Sequence, residues 1–164
     1  MLRSIRTLLA LGAGLAAAGT FAAAPASAIE GDETFTLYAR EVPGEEDDEG
    51  EPGEQQLPEV GDSFSFADDL YREKGGEKVG RDGVACTVVR AGNPMDIQCL
   101  GTFVLSGGQI TAQVLMTVPL DDSAELPDFD ASVTGGTGDY RGATGQIHFT
   151  EDGEYQRLEF DLTD

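Results

Sequence analysis

The stretch GDSFSFADDLY, residues 61 to 71, carries an acid where an alternating strand should carry an apolar side chain. With a period of two, Phe64, Phe66, Asp68 and Leu70 share one face, so an extended segment turns the Asp68 carboxyl toward the same interior as two phenylalanines. Burial strips a carboxylate of hydration and raises its pKa unless hydrogen bonds or a cation compensate. A carboxyl in that setting can move a proton on a bound molecule, which makes Asp68 the candidate acid or base. Two placements compete with this one: a bulge that turns Asp68 outward, and a cap on a backbone amide at a rim.

The other reactive residue types are sparse. His148 is the single histidine, so a zinc site or a His-based triad lacks parts; it alternates with Ile147 and Phe149 on a polar face and is given no role. Tyr38, Tyr71, Tyr140 and Tyr155 could each donate a hydrogen bond to a ligand or sit as amphipathic rim residues. Between residues 135 and 145 five glycines fall in eleven positions, yet their G-x-G-x-x-x-G spacing, with a strand following, does not make a dinucleotide loop, and no Walker lysine is present. Those glycines are read as a turn with φ > 0 and a tightly coiled strand.

The run EVPGEEDDEGEPGE, residues 41 to 54, holds eight acids and no base. It cannot bury enough surface to offset its ordering entropy, so 41–61 is read as a mobile acidic loop. A calcium site is the sharper alternative, although the spacing is not that of an EF-hand, and no metal or cofactor is expected.

Compartment follows from the first residues. Arg3 and Arg6, an apolar run from Leu8 to Ala18, and small residues at Ala26 and Ala28 have the layout of a signal peptide over 1–28. The mature chain is then 29–164, one domain, expected to be secreted; no second apolar segment suggests a membrane span, and no cysteine near Ala28 suggests a lipid anchor. Losing the two arginines takes the net charge from −21 to −23, a surface that repels nucleic acid and anionic membranes. In an oxidising compartment Cys86 and Cys99 are read as a disulfide across a hairpin centred near Asn93, the alternative being two buried thiols.

These side chains need a scaffold, and period-two alternation supplies one. Eight strands are expected, at 33–41, 62–72, 78–90, 96–106, 108–119, 129–134, 142–150 and 155–163. Ile110, Ala112, Val114, Met116 and Val118 share one side of the fifth; Leu158, Phe160 and Leu162 point inward on the last. With no long helical periodicity, the class is all-β, an eight-stranded antiparallel barrel of lipocalin-like shape, since closure removes exposed edges.

Several segments look familiar at this point. VTGGTGDYRGATGQI resembles the late hairpin of allene oxide cyclases, GDSFSFADDLY their Gly-Asp, Phe and Leu-Tyr segment, and VGRDGVACTVV and GGQITAQ the strands that follow. The likeness runs in order from about residue 60 to 150, and plant dirigent proteins share the Gly-Gly-Thr-Gly turn. The resemblance implies a barrel with an apolar cavity, often a homotrimer, acting on a flexible apolar substrate: cyclases close a fatty-acid epoxide to a cyclopentenone, and dirigent proteins steer radical coupling. It implies that Phe66 is a pocket aromatic and that Asp68 replaces an asparagine that helps hold a water. Cys86 matches a pocket cysteine, Met116 stands at a pocket tyrosine, and Tyr38 or Arg40 falls near a first-strand glutamate.

The reading favours a secreted barrel that binds or orients a small apolar molecule, with Phe64, Phe66, Met116 and Tyr38 as ligand contacts. Its alternatives are a cyclase or isomerase using Asp68, and a structural or interaction domain with a filled interior. The small interior residues Ala39, Gly101 and Ala112 leave room for a cavity.

Overall fold

A computed structural model describes residues 33–43, 57–120 and 126–163. The expected signal peptide and most of the acidic run, with its calcium reading, lie outside the described residues. Nine strands follow in order: β1 (Glu33–Glu41), β2 (Ser63–Phe66), β3 (Asp68–Tyr71), β4 (Lys78–Arg90), β5 (Met95–Leu105), β6 (Gly108–Val118), β7 (Phe129–Gly136), β8 (Thr144–Asp152) and β9 (Tyr155–Thr163). All pairings are antiparallel, and the circuit β3-β1-β9-β8-β7-β6-β5-β4 returns to β3, so eight strands close a barrel and β2 is the extra one.

The ninth strand arises by division. The expected strand 62–72 breaks at Ala67, whose carbonyl accepts the Val42 N–H at 2.9 Å. On one side of the break β2 pairs only with β4; on the other, β3 lies between β4 and β1. The other seven strands occur where alternation puts them.

The glycine-rich segment builds a corner. β7 ends at Gly136, a single 3-10 turn spans Gly138–Tyr140, and β8 begins at Thr144. Gly145 has φ +113°, and a Cβ there would lie 2.1 Å from the Asp161 carbonyl, so the position requires glycine for both conformation and space.

Inside, the barrel has two unlike halves. One is filled by a cluster that includes Leu37, Leu70, Ile110, Ile147, Leu158 and Leu162, with Phe160 stacked on Phe35 at 4.5 Å and edge-on to Phe103 at 5.3 Å. The other is walled by Cys86, Val88, Met95, Ile97 and Cys99, with Phe66, Val84 and Met116 partly buried against them. Cys86 and Cys99 oppose each other across β4 and β5 and form the disulfide. Such a bridge stabilises by about 3 kcal/mol through loss of chain entropy in the unfolded state.

Candidate functional site

The second half of the barrel is not filled. It encloses a cavity of about 230 Å³ whose walls include Val84, Ile97, Met116 and the disulfide, and at whose inner end lie Phe103 and Ala112. Four polar residues contribute to this lining, from β3, β4, β6 and β9: Asp68, Asp82, Gln113 and Gln156.

Asp68 and Asp82 form a pair because of register. Phe66 opposes Val84 on one side and Asp69 opposes Arg81 on the other, which sets Asp68 across from Asp82. At this step the Asp68 N–H donates to Asp82 Oδ1, at 3.0 Å, in place of a carbonyl. The two residues are 8% and 6% exposed, so both carboxyls are held out of water. Like charges directly opposite on neighbouring strands repel, and a low dielectric magnifies the effect.

Burial, reinforced by the charge of Asp68, pushes the Asp82 carboxyl up to about 8. Asp68 is raised as well, chiefly by burial, with the charges of Glu41 and Asp69 adding to it. Near neutral pH the pair therefore keeps one proton, poised for exchange with anything that hydrogen-bonds to it.

The sequence candidates are sorted by this geometry. Asp68 faces the cavity, neither bulged outward nor exposed at a rim. Phe66 and Met116 stand in the wall, while Phe64, 46% exposed, lines the outer part. Tyr38 does not join them. It lies on the opposite face of β1 from the buried Leu37 and Ala39, edge-on to Tyr155 at 6.5 Å and beneath Lys74. Arg40 shares that outer face and donates to the Tyr71 hydroxyl at 3.1 Å, so neither residue replaces the family's first-strand acid inside. His148 pairs with Asp130 through Nδ1 at 2.7 Å, away from the cavity.

Asp82 and Gln156 escaped the sequence reading. Asp82 is in phase with Val84 and Cys86, and Gln156 with Leu158 and Phe160; that parity was the available signal. No group of three or more acids, histidines or cysteines able to hold a metal occurs among the described residues.

These features define the class of the fold: a closed antiparallel β-barrel with an apolar half-cavity on which a few polar groups converge. The chain belongs to the allene oxide cyclase barrel-like family, whose domain matches residues 44–161. Among solved structures, a pyocyanin demethylase is similar at 29% identity and a TM-score of 0.61, covering 80% of this chain and 100% of that one. AbnU, an exo-specific intermolecular Diels-Alderase, aligns at 16% identity and a TM-score of 0.55, over 81% of this chain and 98% of its own. The pterocarpan synthase dirigent protein GePTS1 aligns at 19% and 0.53, over 80% and 85%. The last two likenesses concern the fold alone. No curated protein matches the chain.

Proposed function

We propose that the protein is a secreted barrel that binds and orients one small, largely apolar organic molecule in the open half of its interior. The observation that carries this reading is the cavity itself: half of a small barrel is left unfilled, and its lining is apolar except for a few groups at defined positions. At about 230 Å³ it is smaller than common ligand pockets of roughly 300–1,000 Å³, which suits a compact ring system better than a long acyl chain. The likeness to a pyocyanin demethylase supports a small organic ligand. Secretion rests on the signal-like residues 1–28 and accords with the disulfide.

Native mass spectrometry of protein purified from its own culture medium tests the reading. A mass excess of one small molecule per chain supports it; bare chain, together with no binding of any compact aromatic probe, ends it. The same spectra read the trimer implied by the family resemblance as a threefold mass.

A second reading, a cyclase or isomerase, draws on one observation: the Asp68–Asp82 pair holds a proton near neutral pH against the cavity wall. Asp82 would deliver that proton to a ligand while Asp68 receives one, both steps within a water-poor site. Once a substrate is in hand, Asp68→Asn and Asp82→Asn should each lower kcat by about 10²-fold or more while binding survives; unchanged turnover removes the acid–base role.

A further inference from the structure

The charge around the cavity goes further than its volume and points to the kind of molecule it takes. Both residues of the pair are buried and reach the same lining. Around them the remaining charged groups are acidic or turned away. From β1 comes Glu41, which opposes Asp68; Arg40 turns outward to Tyr71. On β3, Asp69 faces out and pairs with Lys78. On β4, Arg81 is exposed, one residue out of phase with Asp82. β5 presents the uncharged Phe103 opposite Asp82, and β9 presents the neutral Gln156. Among the described residues no lysine, arginine or histidine lines the cavity.

A buried carboxyl pair without a cation is an unbalanced charge, and something must balance it. A proton retained on Asp82 is one way to do so. A ligand can do the same if it carries positive charge on an otherwise apolar frame.

We propose that this cavity selects compact organic cations, protonated nitrogen heterocycles or quaternary aromatic ammonium compounds, with the nitrogen end against Asp68 and Asp82 and the ring body between Phe66, Ile97 and Met116. Carboxylate ligands are excluded by the same pair, which places fatty-acid anions outside its range. Gln156 offers an amide to either side of the ring without changing the charge balance. The acidic surface as a whole, with a net charge of −21, raises the local concentration of cations near the mouth. The inference rests on the ligand-binding reading above and narrows its chemistry.

A matched trio of bicyclic probes tests it by calorimetry at pH 8: N-methylquinolinium as cation, naphthalene as neutral frame, and 2-naphthoate as anion. The expected order is cation tightest, naphthalene at least tenfold weaker, and 2-naphthoate without measurable binding. In the Asp68→Asn/Asp82→Asn double variant the cation should lose its advantage while naphthalene is retained. Because that variant could fold poorly, the wild-type protein supplies a second measurement. A permanent cation displaces the shared proton, so N-methylquinolinium affinity should rise between pH 6 and 9, approaching tenfold per unit at its steepest. Naphthalene should stay flat across that range. Binding of naphthalene with no preference for the cation, or a flat pH profile for the cation, overturns the inference and leaves the ligand-binding reading standing. Binding of none of the three overturns both.

Discussion

Asp82 decides how the protein responds to pH. In the unfolded chain an aspartate titrates near 3.9, whereas here burial holds Asp82 up to about 8. Between those limits the folded state keeps a proton that the unfolded state has already lost, so the unfolded chain binds fewer protons and stability falls as pH rises. The contribution is fully present below about pH 4 and is lost by about pH 8, with a slope of up to roughly 1.4 kcal/mol per unit. Asp82→Asn should flatten that slope. Thermal melts across this window should show variant and wild type together near pH 4, and the variant several degrees higher at pH 8; a constant offset would contradict the assignment. Asp68 was legible as a candidate from its own strand, because it is in phase with Phe64, Phe66 and Leu70, although the alternation alone left a bulge or a rim cap open. Its partner was not, since locating it requires pairing two strands. The symmetry that sets Cys86 against Cys99 about the β4–β5 turn also sets Asp68 against Asp82 about Gly75, and applying it there would have found the pair. Tyr38 misled for a related reason: a tyrosine fits either face of a strand, and on β1 it takes the outer one, against Tyr155.

At the level of elements, the barrel depends on a few places where the backbone has no alternative. Gly145→Ala should destabilise by about 2 kcal/mol or more, because φ +113° strains an L side chain and its Cβ would meet the Asp161 carbonyl on β9. Chemical denaturation checks this; an unchanged midpoint would mean that β8 and β9 can separate freely at that point. Across the barrel, the Cys86→Ala/Cys99→Ala variant should lose about 3 kcal/mol of stability and also soften the cavity wall, since the disulfide lines it. Strand positions were readable because alternation is a local property, and the long β4–β5–β6 meander obeys it up to the register shift between Val88 and Arg90. The break at Ala67 was not readable. It coincides with a hydrogen bond from Val42, just past the end of β1, which arrives from a distant part of the chain.

As a whole molecule, the protein divides its interior between stability and space. The filled half, with Phe160 at its centre, supplies the core: Phe160→Ala should cost about 3–5 kcal/mol. The open half, by contrast, should tolerate a larger residue where it is empty. Gly101 lines the cavity with a conformation open to any residue, and an added Cβ would make only ordinary contacts at 3.7 Å with Phe103 and Val84. A β-branched residue suits a strand, so Gly101→Val should fold with equal or greater stability while taking up ligand space. That substitution separates a cavity kept for a ligand from a cavity that is merely unfilled. The most direct test is methyl NMR of wild type and Gly101→Val titrated with naphthalene. The wild type should shift at Val84, Ile97 and Met116 and stay still at Ile110 and Leu162, and Gly101→Val should abolish the response. No shift in the wild type, or the same shifts persisting in Gly101→Val, would contradict a ligand site inside the barrel.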